Sequence, residues 1–244
     1  MSKFILTSGL DYSTQQMLFT VVGTVSGRVQ DPTTGNVAFY ITNTEYNGST
    51  KQQETKSFYV VVGPQIGARI MGEYPDGTIA VVDCVQRGEW YEGLKVTKTR
   101  HVKAPYQKKD GSVGLRNYFI GPWKISTFQK KVWDQIVSSC RMQAQDIKAC
   151  GEPAYINYLN NERCYCGGIK VEEVAANGTV SEQWNNFQFY NTKFKPELKD
   201  KAIKLLTKFD GSNLVAPTVI ITAGEAKTTK TGSTFYYGDR FDLV

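Results

Sequence analysis

Several classes of protein are excluded by what this 244-residue sequence lacks. No apolar run approaches the roughly 18–20 residues that a membrane-spanning helix needs. Residues 1–6 are followed by polar residues too soon for the apolar centre of a signal peptide. Five cysteines are an odd, low number for a secreted disulfide scaffold. We therefore expect a soluble protein of the cytoplasm, the host cytoplasm if the source is viral, with free thiols.

Motifs for catalysis are also missing. The single histidine, His101, lies in a basic segment, where we expect contact with phosphate or solvent rather than general-base catalysis. The sequence contains no Gly-x-x-x-x-Gly-Lys-Ser/Thr loop, no His-Glu-x-x-His and no Gly-x-Ser-x-Gly. Asp83, Glu89 and Glu92 lie close together, but their basic, aromatic surroundings give no support to a metal-dependent nuclease. We expect no enzymatic activity and no cofactor.

The positive charge of the chain is concentrated in one segment. The chain carries 29 Lys and Arg against 23 Asp and Glu, a formal charge of +6. Residues 86–131 contain eleven basic and three acidic residues, a formal net charge of +8, so the rest of the chain has a net charge of −2. Aromatic residues alternate with the basic ones, which suits single-stranded nucleic acid, since cations neutralise phosphates and rings stack on unpaired bases. The alternative is a solvated hairpin whose aromatic rings face the core.

The predicted strands and helices follow the order of a known barrel. β-prone stretches predict four strands before the basic segment, over residues 19–30, 37–46, 58–62 and 79–85. Helical spacing over residues 65–73 places a short helix between the third and fourth strands. A long basic hairpin with its tip near residues 108–111 then leads to a fifth strand over residues 115–125. This is the plan of the OB-fold, a Greek-key barrel, whereas a β-sandwich normally lacks the internal helix.

The second half of the chain repeats this pattern less completely. Apolar residues at helical spacing predict a helix over residues 127–151, and a second helix is predicted over residues 196–209. β-prone stretches surround the second helix, at residues 165–174, 184–190, 215–223 and 234–244. We therefore expect a mainly β protein in three parts: an OB-fold domain over residues 1–126, a linking helix over residues 127–151, and a second OB-like or α+β domain over residues 152–244.

The first half of the sequence resembles the bacterial-type single-stranded DNA-binding proteins. Four stretches in the family's order carry the similarity: residues 27–32 (Gly-Arg-Val-Gln-Asp-Pro), 41–46 (Ile-Thr-Asn-Thr-Glu-Tyr), 57–63 (Ser-Phe-Tyr-Val-Val-Val-Gly) and 79–90. The resemblance implies base stacking by Tyr46, Phe58 and Trp90. It also implies phosphate contacts by Arg28, Lys56 and Arg87.

Two departures from the family pattern bear on the protein's partners. The family usually ends in an acidic, flexible tail that recruits other proteins, whereas this sequence ends in a predicted strand. The family also has no counterpart to residues 126–244. A replication protein of a phage or plasmid, which often carries an unusual version of this fold, accommodates both departures.

The sequence therefore predicts a protein that coats and protects single-stranded DNA with little sequence preference, during replication or recombination. Replication or recombination proteins are possible partners, oligomers are possible, and no membrane is expected. The hairpin would supply further DNA contacts through its basic residues: Lys95, Lys98, Arg100, Lys103, Lys108, Lys109 and Arg116. The alternative is a β-rich virion or other structural protein that does not bind nucleic acid.

Four of the five cysteines cluster in the sequence, at Cys140, Cys150, Cys164 and Cys166. Four thiolates could hold zinc in a tetrahedral site. Structural zinc sites usually pair their cysteines across two to four residues, whereas the intervals here contain nine, thirteen and one. We therefore expect free or buried thiols, with a zinc site as the alternative.

Overall fold

The computed structural model describes residues 4–11, 15–47, 50–125, 164–174, 179–190 and 218–244. The helices predicted over residues 127–151 and 196–209 lie outside these residues. The chain divides into two compact units, which comprise residues 1–120 and residues 121–243. Within the described residues, no helix is both long enough and apolar enough to span a membrane.

A closed five-stranded barrel forms the first unit. β1 (Ile5–Asp11) precedes the barrel, which consists of β2 (Gln16–Gln30), β3 (Val37–Asn47), β4 (Gln52–Val62), β5 (Ile79–Arg87) and β6 (Trp90–Thr97), with α1 (Pro64–Glu73) between β4 and β5. The strand order is β1-β2-β3-β4-β6-β5, and pairing between β2 and β5 closes the barrel. β4 and β6 run parallel, whereas the other neighbours are antiparallel. This order, with a helix between β4 and β5, is the predicted OB-fold.

The predicted strands of this barrel need three corrections. β1 precedes the first predicted strand, and β4 already begins at Gln52, six residues before the predicted strand over residues 58–62. The fifth barrel strand is β6, so the prediction that residues 115–125 fill that place is wrong. β6 is hard to recognise because Gly93 and charged residues interrupt it. A Cβ on Gly93 would lie 2.6 Å from Val62 Cγ1, so close packing against β4 favours glycine there.

Alternate residues of the strands fill the interior of the barrel. Phe39, Ile41 and Val60 are fully buried, and they belong to one continuous apolar core. Successive side chains of a strand point to opposite faces, so Tyr40 and Tyr59 lie on the outer surface. The register of β3 and β4 therefore decides which aromatic rings reach the solvent.

A hairpin follows the barrel and includes much of the basic segment. It consists of β7 (Arg100–Gln107) and β8 (Val113–Ile125), which pair antiparallel. At its tip, the backbone N–H of Lys108 donates to the carbonyl of Ser112 at 2.8 Å. The Ser112 hydroxyl and backbone N–H donate to the Asp110 carboxylate, and these bonds lower the pKa of Asp110. The tip lies where the sequence predicted it, but the hairpin begins only at Arg100. Lys95, on β6, and Lys98 therefore lie outside the hairpin to which they were assigned.

The second unit repeats the strand order of the first barrel. It receives the end of β8 and contains β9 (Cys164–Val174), β10 (Val180–Tyr190), β11 (Thr218–Thr228) and β12 (Thr234–Leu243). The order is β11-β12-β10-β9-β8, and β8 also pairs with β11. β10 and β12 are parallel, as β4 and β6 are. Strands β8 to β12 thus take the places of β2 to β6. Of the two alternatives predicted for the second domain, OB-like or α+β, this order matches the OB-like one.

The alternation on β3 predicts that two adjacent substitutions destabilise the protein to very different extents. Phe39→Ala removes a fully buried ring, so we expect the free energy of unfolding to fall by about 3–5 kcal/mol. Tyr40→Ala removes an exposed ring and should lower it by about 1 kcal/mol at most. Urea denaturation followed by circular dichroism measures both values. Equal losses would contradict the register described here.

Candidate nucleic-acid interface

Three exposed aromatic side chains form a row across β3, β4 and β6. Tyr40 and Tyr59 are directly opposite each other, with ring centroids 5.3 Å apart and ring planes tilted by 48°. On the parallel strands β4 and β6, Val60 is in register with Tyr91. The preceding residues, Tyr59 on β4 and Trp90 on β6, are therefore neighbours as well. The exposed fractions of Tyr40, Tyr59 and Trp90 are 44%, 40% and 37%. We call these three residues the aromatic row.

An open groove of about 490 Å³ lies against the two tyrosines of the row. Gly27 forms part of its wall with a φ of +62°, and a Cβ at this position would lie 3.4 Å from the Tyr40 ring. Asp31 stands in the same wall. The Thr34 hydroxyl and the Thr33 N–H donate to its carboxylate and lower its pKa, so Asp31 stays ionised. The groove is therefore lined by aromatic rings and one negative charge.

Small hydroxyl side chains continue the outer face beyond the tyrosines. Thr42 and Ser57 are opposite each other on β3 and β4, with their oxygens 3.0 Å apart. Thr44 and Thr55 form the next pair, with a hydroxyl separation of 3.1 Å. These short side chains leave the rings accessible and offer hydrogen bonds to a polar ligand.

The structure corrects one of the three predicted stacking residues. Phe58 is only 8% exposed, and its ring packs edge-on against Tyr91 with centroids 5.6 Å apart. Because Phe58 faces the core, its prediction as a base-stacking residue is wrong. Tyr46 is in register with Gln53, but its side chain lies outside the described residues. Trp90 is exposed, as stacking requires.

The predicted phosphate contact Arg28 is held by partners within the protein. Its Nε donates to Asp76 Oδ1 at 2.9 Å, and its Nη1 donates to the carbonyls of Ile70 and Met71 at 3.2 and 3.1 Å. Arg28 thus ties β2 to the end of α1 and to the turn that follows. Its guanidinium therefore has a structural role, and its assignment as a phosphate contact stays a prediction.

Two further predicted arginines also have carboxylate partners. Arg87 donates to Glu92 at 2.7 Å and to Gln16 Oε1 at 2.6 Å. The guanidinium of Arg100 lies 2.7 Å from Asp83 Oδ2. Their charges are therefore compensated locally, and their assignment as phosphate contacts stays a prediction.

The predicted lysines are more available than the arginines. Four are exposed and have no ion pair within the part of the chain that the structure describes: Lys56, Lys103, Lys108 and Lys109. Lys95 is half-buried opposite Asp83. Lys98 and Arg116 lie over the rings of Tyr74 and Tyr106, at 5.3 and 4.1 Å from their centroids. None of the predicted site residues lines the groove beside the two tyrosines.

The described residues contain no cluster of three or more metal-ligating side chains. Cys140 and Cys150, and the side chains of Cys164 and Cys166, lie outside the described part of the chain, so the zinc alternative stays a prediction. Cys84 is buried, and burial, with the charge of Asp83, raises the pKa of its thiol to about 12. Cys84 is therefore a neutral core thiol.

His101, like Cys84, has a role in packing. Its ring stacks on Phe119 with centroids 4.2 Å apart, and its Nε2 lies 2.9 Å from Asn117 Oδ1. The hairpin thus holds the imidazole in a defined place, where it supports the pairing of β7 with β8.

The sequence analysis missed Tyr40 and Tyr59, although both strands carry a usable signal. Each tyrosine follows a phenylalanine, and strand alternation sends one ring of each pair outward. A tyrosine hydroxyl needs a partner when buried, which favours the tyrosine for the outer position.

Comparisons with known proteins find distant likenesses. No protein-family model and no curated protein match the chain. Among solved structures, it is similar to a small single-stranded DNA binding protein from Mycoplasma pneumoniae, at 10% identity and a TM-score of 0.28, over 33% of this chain and 90% of that one. It is also similar to the wild-type single-stranded DNA binding protein from Thermus aquaticus, at 8% identity and a TM-score of 0.26, over 93% of this chain and 91% of that one. A deletion mutant of the latter has 10% identity and a TM-score of 0.24, over 93% of both chains. Likenesses at these TM-scores carry no argument about the site.

The contacts of Arg28 predict a stability effect that depends on pH. The hydrogen bond from Arg28 is the main cause of the lowered pKa of Asp76, so their pairing stabilises the fold above the ordinary carboxyl range. This contribution disappears as the pH falls through the lowered pKa. We expect Arg28→Gln to be less stable than the wild type at neutral pH, with a smaller difference below roughly pH 4.

Urea midpoints measured across this pH range test the prediction. The matched variant Asp76→Asn should lose its stability deficit at low pH. Arg28→Gln should keep part of its deficit, because the bonds to the carbonyls of Ile70 and Met71 do not titrate. A deficit of Asp76→Asn that is the same at every pH would contradict the ion pair.

Proposed function

We propose that the protein binds single-stranded DNA with little sequence preference and that the aromatic row is its stacking platform. OB-folds bind oligonucleotides on the face formed by their second and third strands, which here are β3 and β4. The observation that carries the proposal is the position of Tyr40, Tyr59 and Trp90 side by side at this face, all exposed.

The row suits unpaired bases because each ring presents a flat apolar surface. Every base has a π-face, so stacking tolerates any sequence, and each stacked base contributes about 1–3 kcal/mol. In a duplex these faces are covered by neighbouring base pairs, which disfavours double-stranded DNA. The hydroxyl pairs beyond the tyrosines can form hydrogen bonds with donors or acceptors on the base edges, because a hydroxyl both donates and accepts.

Charge indicates which part of the strand enters the groove. Asp31 is ionised and lines the groove beside the tyrosines, so a phosphate there would be repelled. The bases therefore occupy the groove, and the phosphates face away from it. The exposed lysines of β4 and the hairpin supply positive charge for the phosphates, which makes the affinity sensitive to salt.

The proposal extends to the role that the sequence resemblance implies. The protein would coat and protect single-stranded DNA during replication or recombination of a phage or plasmid, in the cytoplasm. Replication or recombination proteins and further copies of the chain are its proposed partners. The proposed mechanism is equilibrium binding, which requires no cofactor.

A fluorescence titration with poly-dT, poly-U and duplex DNA at two salt concentrations tests the proposal as a whole. We expect poly-dT to quench the tryptophan fluorescence and duplex DNA to leave it nearly unchanged. No response to any of the three polymers would contradict the proposal and favour a structural protein.

A single substitution tests the aromatic row. Tyr59→Ala removes the central ring, so the loss of about 1–3 kcal/mol of stacking should weaken poly-dT binding by roughly 5- to 150-fold. Tyr59→Phe keeps the ring and should bind within about threefold of the wild type, since stacking does not need the hydroxyl. Titration by fluorescence anisotropy measures both. Wild-type affinity for Tyr59→Ala would exclude the row as the platform.

The salt dependence of binding tests the exposed lysines of the hairpin. Replacing Lys103, Lys108 and Lys109 together by Gln should reduce the slope of log affinity against log salt. The expected reduction is about 0.7 for each phosphate that the variant no longer neutralises, or about 2 for all three lysines.

The matched control for the lysines is Arg69→Gln. Arg69 is exposed on α1 and pairs with Glu73, so its loss should leave the slope unchanged. If the triple variant keeps the wild-type slope, the hairpin is not part of the DNA path.

A further inference from the structure

The second unit carries an exposed indole and an exposed basic side chain on the face that corresponds to that of the aromatic row. The parallel pairs give the correspondence, because Val60 opposite Tyr91 in the first unit matches Phe187 opposite Tyr236 in the second. Val60 and Phe187 are both buried. The outward positions of the two units can therefore be compared residue by residue.

Strand register extends this comparison across the outer face. Opposite Tyr40 lies Tyr59, and the corresponding pair of the second unit is Gly168 opposite Asn186. Trp90 directly precedes Tyr91, and Phe235 directly precedes Tyr236, so Trp90 corresponds to Phe235. On β2, Ser26 is in register with Tyr40. On β8, Lys124 is in register with Gly168, so Ser26 corresponds to Lys124. Ser26 and the three residues of the aromatic row thus correspond, in that order, to Lys124, Gly168, Asn186 and Phe235, which we call the second row.

The indole of Trp184, on the same strand as Asn186, covers the two positions that correspond to Tyr40 and Tyr59. A Cβ on Gly168 would lie 2.6 Å from the ring of Trp184, so the ring rests directly on this glycine. The Trp184 Nε1–H donates to Asn186 Oδ1 at 2.6 Å, which fixes the ring over the second row. Trp184 is nevertheless 43% exposed. Its indole therefore lies where the first unit has its tyrosine pair.

Basic and aromatic neighbours complete this second face. The Nζ of Lys124 lies 5.9 Å from the centroid of the Trp184 ring. At the far side, the ring of Phe235 meets that of Tyr237 edge-on, with centroids 5.0 Å apart. Lys170, opposite Trp184, forms an ion pair with Glu182. The second row itself thus bears one cation, Lys124, beside the exposed indole.

We infer that this face, formed by Lys124, Gly168, Trp184, Asn186 and Phe235, is a second stacking site for unpaired bases. One chain would then bind single-stranded DNA at two places. The inference rests on the proposed function, since it assigns the same ligand class to the second unit. Trp184 would stack on a base, while Lys124 at its edge would meet the adjoining phosphate.

Binding stoichiometry tests this inference directly. An oligonucleotide of about eight thymidines fits one OB-fold, whose sites span about 4–16 nucleotides. Calorimetric titration of the full chain should give two oligonucleotides per chain. Trp184→Ala should reduce this to one, and so should the double variant with Tyr40→Ala and Tyr59→Ala.

Two further variants separate stacking at Trp184 from a role in folding. Trp184→Phe keeps an aromatic ring and should retain most of the second binding event. Gly168→Ala removes no ring, but its methyl group displaces the indole, so it should weaken that event. Val180→Ala is the matched control, because Val180 is exposed on the same strand and lies apart from the second row. Thermal unfolding curves check that each variant is folded.

The outcomes distinguish the two proposals. One oligonucleotide per wild-type chain, lost in the tyrosine variant and unchanged in Trp184→Ala, would overturn the second site and leave the first in place. No binding by the wild type would overturn both proposals. Loss of the second oligonucleotide in Trp184→Ala, with normal behaviour of Val180→Ala, would support the second site.

Discussion

The register of the closed barrel is the constraint on which the rest of the structure depends. Pairing of β2 with β5 closes five strands around a core of alternating residues, and each strand then has one inward and one outward face. Because Phe39 and Phe58 fill the interior, Tyr40 and Tyr59 face outward. A slip of one residue would put the phenol groups inside and the phenylalanines in water. The platform is therefore a consequence of how the core is packed.

The same constraint operates in the second unit with different side chains. The strand order is repeated, and buried residues such as Phe187 and Ile169 fix the outward positions. The outer face lacks the tyrosine pair, yet Gly168 makes room for Trp184 to lie over the same positions. Two units of one chain thus present exposed rings at corresponding places through different residues. This is why the comparison by register is more informative than a comparison of sequence.

Much of the fold could be predicted from the sequence, whereas much of the site could not. Alternation and turn residues indicated the strand order and α1, because these signals are local. β6 was overlooked because charged residues and Gly93 obscure its pattern. The partner of Arg28 is Asp76, 48 residues away, and no local pattern reveals such a pair. Alternation showed that one ring of each Phe-Tyr pair faces outward, but only the closed barrel determines which one.

Photo-crosslinking can show whether bases contact the aromatic row of the first unit. Single-stranded DNA containing 5-bromouracil would be irradiated with the full chain, and the attached peptides identified by mass spectrometry. We expect crosslinks at Tyr40, Tyr59 and Trp90, and none at the buried Phe58. Crosslinks confined to the hairpin, with the aromatic row unmodified, would show that the row is not the stacking platform.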